Sequence, residues 1–565
     1  MNKDQLHPKR EFKSIRHIVE YAARTYGNRI AFSYRQDPHD EEKISISYIE
    51  FRDDVRALAT EMLSRGMNGK HVVVVAKMSY DFIVTYYATL LIGAVLVPLD
   101  KDWGAAELAD TAKNADIDYL FCDYELSDKS EEIVSICALN TPVVLFGAQG
   151  DQGLQAMIAS GRVKFSQNKR PYFDVEFDNR QLSLLVYTSG TTGKGKGVML
   201  CTDSIIRDMA DIIHYIDFAE NTVSVLPPHH TYGSTVMLIA HVMIGTEVYI
   251  SDGLKYVQKE LRSEKPGHLI LVPLYLETFY RKIQANLKNQ GKDKLVNKML
   301  KISNMTRKAS FGLLDMRKTL FAQIRNAFGG EIKMIVTGGA PINQDIVEFF
   351  EGMGISVLNG YGITECAPLI SVNRSRNVVK GSVGTVLDMD DVKILDPNED
   401  GEGEICVKGP NVMLGYYKNP KATVEVFTED GWFRTGDIGY IDEDNFIFIT
   451  GRKKNVIILS NGKNIFPEEV EYYLQLDERI QEVIVYVVVG RKNEKGDETS
   501  ICALVYPDYA LFEGKSKEEI KSAVEAVVAD INKKLPQFKH IHEVEIRETE
   551  FEKNTSRKIM RYKIK

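Results

Sequence analysis

The chain has 565 residues, of which 44% are hydrophobic and 27% charged, a composition typical of folded proteins and not of disordered chains. This length exceeds a usual domain of roughly 100–200 residues, so we expect at least two domains. Lys and Arg number 71 against 79 Asp and Glu, a net charge of −8, and the absence of a basic excess argues against nucleic acid as the main ligand.

The cysteines and the apolar segments indicate a cytoplasmic protein. Six cysteines are scattered with no C-x-x-C pair, which argues against a zinc site and against a disulfide framework. The N-terminus is polar and lacks the apolar run of a signal peptide. The longest apolar stretch, residues 88–99, is shorter than the ~20 residues that a membrane-spanning helix needs.

The first part of the chain is predicted to be α/β. Between residues 72 and 100, the apolar run VVVVA, a helical stretch from Ser79 to Ile92 and a second run VLVPL indicate two buried parallel strands joined by a helix. Apolar strand patterns recur near residues 183–186, 268–273, 332–336 and 355–358. We therefore expect layered α/β subdomains over about the first 380 residues.

The texture changes after Val386. Short strands with Gly, Asp and Asn turns up to Thr450 predict a small antiparallel barrel or sheet. Beyond Gly451 come strands near 456–459, 483–489, 501–506 and 544–547, with helices from Pro467 to about 476 and from about 517 to 535. We predict an N-terminal domain over residues 1–451 and a small α+β C-terminal domain over residues 452–565.

One segment differs in charge from the rest of the chain. From Arg281 to Arg325 there are 12 Lys and Arg against Asp293 and Asp315, a local net charge of +10. This pattern is compatible with a solvated helical insertion. The alternative is a surface for anionic partners, such as a nucleotide-bearing thiol, an acidic carrier protein or an anionic membrane to which the protein associates peripherally.

The strongest local motif follows the apolar strand LSLLV. Glycines let backbone N–H groups turn toward an anion, hydroxyls add donors and lysines add charge, so this segment is predicted to hold phosphates. Gly197 stands where a P-loop has its magnesium-binding Ser or Thr, which argues against a P-loop NTPase. The predicted phosphate-binding residues are Thr188, Ser189, Gly190, Thr191, Thr192 and Lys196.

Two further motifs follow predicted strands, and both are predicted to be loops at strand ends, where ligands bind in open α/β sheets. In the second, a tyrosine can stack on a purine, a threonine can bond phosphate and a glutamate can hold Mg²⁺. The first motif consists of Gly338, Gly339 and Ala340, and the second of Asn359, Gly360, Tyr361, Thr364 and Glu365.

These segments resemble a known superfamily. In order and spacing, seven motifs resemble the core motifs of adenylate-forming (AMP-binding) enzymes, which include acyl-CoA synthetases, nonribosomal adenylation domains and beetle luciferases. The motifs span nearly the whole chain, which makes coincidence improbable. They are TSGTTGKGKGV, LPPHHTYG, TGGAP, YGITE, GWFRTGD, GRKKN and the C-terminal KIMR.

The resemblance implies a role for each motif. Residues 188–196 would form a mobile phosphate loop, and residues 338–340 with 359–361 would frame adenine. Thr364 would contact phosphate, and Glu365 would be the Mg²⁺ ligand. The other implied residues are Asp437, in a loop after WFRT, for the ribose hydroxyls, Arg452 to assist it, His230 at the carboxylate pocket, and Lys558 to bridge the reacting carboxylate and the nucleotide.

The resemblance also implies a two-step reaction with ATP, Mg²⁺ and coenzyme A. A carboxylate would attack the α-phosphate of ATP, giving acyl-adenylate and pyrophosphate, and a thiol would then displace AMP. The C-terminal domain would rotate between the steps about a hinge at Lys454, bringing in Gly462 and Lys463 for thioester formation.

The substrate acid is predicted to be a medium- or long-chain fatty acid. The segment TYGSTVMLIAHVMIG is apolar and uncharged, whereas an amino-acid-activating member would place an aspartate there. The long basic insertion also resembles long-chain fatty acyl-CoA synthetases. An acyl carrier protein is an alternative acceptor. Because Arg557 replaces the glycine usual before Lys558, a non-catalytic acyl- or nucleotide-binding protein is a further alternative. The sequence leaves the oligomeric state open.

Overall fold

The computed structural model describes residues 4–188, 195–309, 317–458, 464–493, 496–553 and 559–564. Within these residues the chain packs as two compact units. The first unit contains the chain up to Thr188 together with Lys196–Asp391 and Val407–Phe433. The second contains Val392–Cys406 and the chain from Arg434 onward. The predicted domain boundary between residues 451 and 452 stays a prediction.

The helices of the first unit alternate with its strands. In chain order they are α1 (Ile15–Tyr26), α2 (Tyr48–Ser64), α3 (Tyr80–Leu91), α4 (Ala105–Asn114), α5 (Ser127–Cys137), α6 (Leu154–Gln167), α7 (Arg170–Asp174), α8 (Thr202–Ile212), α9 (His241–Ile244), α10 (Val257–Glu264), α11 (Pro273–Asn289), α12 (Asp293–Ala309), α13 (Arg317–Leu320), α14 (Ala322–Arg325), α15 (Gln344–Gly352) and α16 (Pro420–Glu425). A π-helix, Tyr232–Ala240, precedes α9.

The strands up to Tyr416 follow in chain order, and all of them belong to the first unit except most of the two strands between Asp391 and Lys408, which belong to the second. They are β1 (Ile30–Tyr34), β2 (Ile44–Ser47), β3 (His71–Val75), β4 (Val95–Leu99), β5 (Tyr119–Asp123), β6 (Val144–Phe146), β7 (Leu182–Thr188), β8 (Lys196–Cys201), β9 (Asn221–Ser224), β10 (Glu247–Ile250), β11 (His268–Leu271), β12 (Met334–Gly338), β13 (Ser356–Gly362), β14 (Leu369–Val372), β15 (Thr385–Val386), β16 (Asp391–Leu395), β17 (Gly403–Lys408) and β18 (Gly415–Tyr416).

The remaining elements belong to the second unit or continue into it. They are β19 (Phe433–Ile441), β20 (Ile447–Arg452), β21 (Ile457–Ile458), β22 (Asn464–Ile465), α17 (Pro467–Gln475), β23 (Ile480–Asn493), β24 (Gly496–Pro507), α18 (Lys517–Asn532) and β25 (Glu543–Ile546).

The predicted strand, helix and strand between residues 72 and 100 are present as β3, α3 and β4. The two strands are parallel neighbours, and both are almost wholly buried, as a central parallel sheet requires. Ser79 begins the helix: its hydroxyl accepts a hydrogen bond from Phe82 N at 3.1 Å. Gly93 turns the chain with a φ of 72°, and a Cβ there would lie 2.5 Å from the ring of Phe177. The prediction of parallel α/β layers is confirmed.

These elements form three sheets in the first unit. The first has the order β18-β8-β7-β4-β3-β5-β6, the second β11-β12-β13-β14-β15 and the third β2-β1-β10-β9. Strands β11 to β13 are parallel, whereas β14 runs antiparallel to β13. This arrangement sets the carboxyl ends of β12 and β13 side by side.

The second unit follows the predicted change of texture. Strands β16, β17, β19 and β20 form a sheet, in which β19 and β20 are antiparallel, and β23, β24 and β25 form another. Helices α17 and α18 pack against the latter sheet through a core that includes Val470, Val485 and Val527. The predicted turn at Asn461 and Gly462 lies outside the described residues.

The basic segment folds largely as helices α11 to α14. Leu287 and Val296 of α11 and α12 are buried in the core, so these helices pack on the unit with their apolar side. The sequence interpretation placed all charges of the basic segment on a surface, and this is wrong for Arg325. The residue is 1% exposed, and its side chain donates to the carbonyls of Met353 at 3.1 Å and Ile332 at 2.6 Å. Its charge therefore serves the fold instead of the surface. Within the described part of the chain, no helix combines the length and apolar character needed to cross a bilayer.

Candidate active site

The predicted phosphate loop is framed by two strand residues. Thr188 ends β7 and Lys196 begins β8, and the two residues face each other in an antiparallel pair. The Thr188 hydroxyl donates to the carbonyl of Lys196 at 3.4 Å. Lys196 is thus a strand residue and not a loop residue as predicted, because β-pairing extends to it. Outside the described residues lie Ser189, Gly190, Thr191 and Thr192.

The two glycine-containing motifs lie side by side. Gly338 and Gly360 are register partners on the parallel strands β12 and β13. A Cβ on Gly338 would lie 2.8 Å from the carbonyl oxygen of Gly360, so the close approach requires glycine. Gly339 and Ala340 follow β12 in a bend. The structure brings these segments together at one edge of the sheet.

The first three residues of the second motif are not in a loop, contrary to the sequence prediction. Asn359, Gly360 and Tyr361 lie within β13, where Gly360 and Tyr361 also pair with β14. The glycines suggested a turn, but antiparallel pairing with a strand further along the chain continues β13 to Gly362. A Cβ on Gly362 would lie 2.1 Å from the carbonyl oxygen of Pro368, which explains why a glycine stands there.

Thr364 and Glu365 lie in the 3-10 turn Thr364–Cys366 directly after β13. The backbone of this turn is held by the loop before β18, since Met413 N donates to the carbonyl of Glu365 at 2.8 Å. The side chain of Glu365 is partly exposed. The turn therefore presents a carboxylate next to the strand end where the glycine motifs meet.

Tyr416 joins two of the predicted residues, and sequence reasoning missed it. Its hydroxyl donates to Oε1 of Glu365 at 2.9 Å, and Nζ of Lys196 lies 4.6 Å from the centre of its ring. Burial, and then the charge of Glu365, raise the pKa of the Tyr416 phenol, which keeps it protonated as a donor. No local spacing predicts this contact, because it depends on the pairing of β18 with β8.

Glu365 fits the role of a magnesium ligand. Mg²⁺ prefers oxygen ligands and is usually bound through one or two carboxylates together with substrate phosphates. One carboxylate oxygen of Glu365 is oriented by the Tyr416 hydroxyl, and the side chain is partly exposed. The donor set therefore suits a hard cation that is held jointly with a nucleotide.

His230 lies beside a second histidine. The ring centres of His229 and His230 are 4.3 Å apart, and Nε2 of His229 lies 3.4 Å from Oδ2 of the buried Asp100 at the end of β4. Burial lowers the pKa of His229 to about 4, although the charge of Asp102 opposes the shift, so His229 is neutral at physiological pH. Asp100 was not singled out from the sequence, since its contact with His229 is non-local.

The apolar segment after His230 is a buried π-helix followed by α9. Every residue from Gly233 to Ala240 is buried, and the hydroxyl of Tyr87 on α3 donates to Leu238 O at 3.2 Å. The segment contains no Asp, Glu, Lys or Arg, and burial lowers the pKa of its His241 to about 4, which keeps that side chain neutral. It is therefore an apolar, uncharged and buried segment of the first unit.

The other predicted site residues belong to the second unit. Asp437 and Arg452 are register partners on β19 and β20, and Nε of Arg452 lies 2.8 Å from Oδ1 of Asp437. Asp437 is a strand residue and not a loop residue as predicted, because β20 pairs with this part of the chain. Lys454 is exposed in the 3-10 turn Lys453–Asn455. Gly462 and Lys558 lie outside the described residues.

The chain is similar to known proteins along most of its length. The chain is similar to "Long-chain-fatty-acid--CoA ligase FadD15" of Mycobacterium bovis, 28% identical over 495 residues that cover 85% of this chain and 80% of that protein. It is similar to "Long-chain-fatty-acid--[acyl-carrier-protein] ligase AEE15, chloroplastic" of Arabidopsis thaliana, 25% identical over 591 residues, with 91% and 79% covered.

The fold is likewise similar to that of a solved structure, the ATP-bound MatB of Rhodopseudomonas palustris. The TM-score is 0.73 at 21% identity, with 97% of this chain and 98% of that chain covered. Family models match in two parts: "AMP-binding enzyme" over residues 19–417 and "AMP-binding enzyme C-terminal domain" over residues 454–565. The chain therefore belongs to the AMP-binding enzyme family.

Proposed function

We propose that this protein is an AMP-forming acid–thiol ligase that activates a medium- or long-chain fatty acid with ATP and transfers the acyl group to coenzyme A. The observation that carries the proposal is the convergence of Lys196 and Glu365 on Tyr416. The ammonium group of Lys196, which suits phosphate, and the carboxylate of Glu365, which suits a metal, thereby contact the same tyrosine. Glu365 lies in the turn directly after β13, one of the two strands that carry the glycine motifs.

In the first step the fatty acid carboxylate attacks the α-phosphorus of ATP, and pyrophosphate leaves. Lys196 and Thr188 would bind the departing phosphates, and Thr364 would contact phosphate from the end of β13. Mg²⁺ supplies charge neutralisation on the phosphates when it is bound. Lys558, in the tail motif K-I-M-R, would orient the carboxylate and offset the charge that develops on the nucleotide.

In the second step the coenzyme A thiolate attacks the acyl carbonyl carbon, and AMP leaves. Residues 338–340 and 359–361 would frame the adenine of the nucleotide, and Asp437 would accept hydrogen bonds from its ribose. We propose that the C-terminal domain, residues 452–565, moves between the two steps about Lys454 and brings Gly462 to the site of thioester formation. The exposure of Lys454 supports this role.

The class of the substrate acid is inferred from the buried apolar segment that follows His230. A buried π-helix without a charged side chain cannot pair the ammonium group of an amino acid, whereas it can contact an alkyl chain. The names of the relatives in Mycobacterium bovis and Arabidopsis thaliana, both ligases of long-chain fatty acids, support the same class of substrate.

An acyl carrier protein is a second candidate acceptor, favoured by the name of the Arabidopsis thaliana relative. The two readings share the first step and differ in the second. With dodecanoate or palmitate and ATP, we expect thioester formation on coenzyme A at a rate at least about tenfold above that on a phosphopantetheinylated carrier protein. The reverse ratio would assign the carrier protein as the acceptor.

The role of Glu365 is tested by its magnesium response. Glu365→Gln keeps the size of the side chain and removes the charge that a hard cation prefers. We expect activity to fall at least about tenfold and to require more Mg²⁺ for half-maximal rate. Glu348→Gln, at an exposed position of α15, is the matched control and should leave the Mg²⁺ response unchanged. An unaltered Mg²⁺ response in Glu365→Gln would remove it from the metal site.

We propose further that helices α11 and α12 dock peripherally on anionic membranes, from which a long-chain acid would be collected. Four lysines there are exposed together with Leu295 and Ile302, as an amphipathic surface requires. Each lysine near an anionic surface can contribute about 1 kcal/mol. The four are Lys288, Lys292, Lys294 and Lys298.

Cosedimentation with liposomes tests the docking. Binding should require anionic lipid, weaken with salt and fall when these four lysines are changed to Gln. The matched control changes four exposed lysines of the second unit to Gln, which should leave binding intact: Lys515, Lys517, Lys521 and Lys533. Equal loss in both variants, or no binding by the unchanged protein, would contradict the docking.

A further inference from the structure

Tyr416 is fixed in the fold by its backbone. It belongs to β18, where it faces Val198 of β8, and the next residue, Tyr417, donates its N–H to the carbonyl of Gly197 at 2.8 Å. The N–H of Tyr416 donates to the hydroxyl of Thr423 at 2.9 Å. The position of its backbone next to β8 is therefore set by the sheet and does not depend on the charged groups that its side chain contacts.

The side chain of Tyr416 lies between two opposite charges. The ammonium group of Lys196 lies 4.6 Å from the ring centre, and the hydroxyl at the far end of the ring donates to the carboxylate of Glu365 at 2.9 Å. The residue is 6% exposed, so its ring and hydroxyl are largely shielded from water, whereas Lys196 and Glu365 are partly exposed. Each charge is thus stabilised by a different part of one aromatic residue.

This arrangement has a chemical consequence. Without a spacer, a lysine and a glutamate in one site attract each other and form an ion pair, in which each neutralises the other. The face of the ring attracts the cation, and the hydroxyl satisfies one oxygen of the carboxylate. Both residues then keep their charge for phosphate and for a metal.

We propose that Tyr416 is a positioning residue of the adenylation step, which holds Lys196 for the nucleotide phosphates and Glu365 for Mg²⁺ while keeping the two from pairing with each other. The inference rests on the proposed function, because it assigns Lys196 and Glu365 to the reaction with ATP. Loss of a purely structural residue would impair metal binding and phosphate binding together. The positioning role predicts instead that the two can be impaired separately by different substitutions.

Two substitutions separate the parts of the side chain. Tyr416→Phe keeps the ring under Lys196 and removes the hydroxyl that orients Glu365, so the Mg²⁺ concentration for half-maximal rate should rise about fivefold to tenfold. The affinity for ATP in EDTA, measured by calorimetry, should stay within about twofold of wild type. Tyr416→Leu removes the ring as well, and the metal-free affinity for ATP should fall about threefold or more.

Controls make the two effects specific. Tyr417→Phe is the matched substitution at the next residue, whose hydroxyl donates to Asp116 at 2.7 Å, and it should change neither the Mg²⁺ response nor metal-free binding of ATP. In the double variant with Glu365→Gln, Tyr416→Phe should add no further shift in Mg²⁺ response, because its effect acts through Glu365. Thermal midpoints of all variants establish that they are folded.

A wild-type Mg²⁺ response in folded Tyr416→Phe would overturn the proposal, as would an equal shift in Tyr417→Phe or additive effects in the double variant. Unchanged metal-free affinity in folded Tyr416→Leu would overturn the part that concerns Lys196. Calorimetric binding of ATP and of Mn²⁺ needs no fatty acid. If no acid supports turnover, the proposed function fails while the positioning role is still measured, by Mn²⁺ affinity in place of the Mg²⁺ response.

Discussion

Some side chains of the candidate site can be predicted from the sequence, and others cannot. Lys196 and Glu365 were predicted because their residue types suit phosphate and metal within glycine-containing motifs. Tyr416 and Asp100 were not, because their contacts with Glu365 and His229 join segments that lie far apart in the chain. A motif specifies what a residue can do, whereas its non-local partners are specified only by the fold.

The buried carboxyl group of Asp390 predicts how the stability of the folded protein depends on pH. Burial raises the pKa of Asp390 to about 8, although the hydrogen bond from Asn411 at 2.7 Å lowers it and the charge of Asp211 raises it further. An aspartate in an unfolded chain has a pKa of about 3.9. The folded protein therefore binds this proton more tightly, and its stability falls as pH rises from about 4 toward 8.

We expect Asp390→Asn to raise the thermal midpoint by about 2 °C relative to wild type at pH 8 and to have a smaller effect at pH 5. Asp388→Asn should have the opposite sign. Burial opposes ionisation of Asp388, but contacts with Tyr215, Lys9 and Arg374 outweigh it and hold its pKa below the usual value. A midpoint of Asp390→Asn that is unchanged at both pH values would contradict the assignment.

At the scale of elements, the regular parts of the fold could be predicted and the irregular ones could not. The β3, α3, β4 unit has apolar runs and a serine cap, which are local signals. Asn359 and Asp437 were predicted in loops because glycines accompany them, yet both lie in strands that pair with distant segments. The same non-local pairing extends β8 to Lys196.

The last described segment of the chain, residues 559–564, is anchored to α17. Arg561 forms an ion pair with Glu471, which is 8% exposed and also accepts a hydrogen bond from Val485 N at 2.6 Å. Burial raises the pKa of Glu471 to about 7, and the charge of Arg561 opposes that shift. Removal of the cation would leave a buried carboxylate without this partner.

We expect Arg561→Met to reduce the protection of the Val485 amide against hydrogen exchange by about 10- to 100-fold at pH 8. At pH 6 the reduction should be smaller, because the carboxyl group can take up a proton. Lys563→Met removes a pair with Glu552 on the exposed surface and should leave Val485 protected. Equal protection in Arg561→Met and wild type would show that the ion pair does not anchor the segment.

At the scale of the whole molecule, the residues assigned to one reaction are divided between two units with separate cores. The first unit carries Lys196 and Glu365, and the second carries Asp437 and Arg452. The sequence predicted the two kinds of structure from the change in texture after Val386. The predicted boundary between residues 451 and 452 stays a prediction, and β17 contributes to both compact units.

The two half-reactions can be measured separately, and Lys558 is expected to act in only one of them. We expect Lys558→Ala to reduce acyl-adenylate formation by at least about 100-fold, because an oriented charge can contribute several kcal/mol to a transition state. Conversion of chemically supplied acyl-adenylate to thioester should continue at a similar rate. Lys563→Ala, five residues along the chain, is the control and should leave both steps intact. Equal loss of both steps in Lys558→Ala would contradict its assignment to adenylation.

The central claim is that this protein forms an acyl-adenylate from a fatty acid and ATP, and exchange of labelled pyrophosphate into ATP measures that step directly without any thiol acceptor. We predict exchange that depends on dodecanoate or palmitate and on Mg²⁺, and that falls at least about tenfold in Glu365→Gln. Absence of exchange with every fatty acid from 8 to 18 carbons, in protein that binds ATP, would contradict the claim and favour a non-catalytic acyl- or nucleotide-binding role.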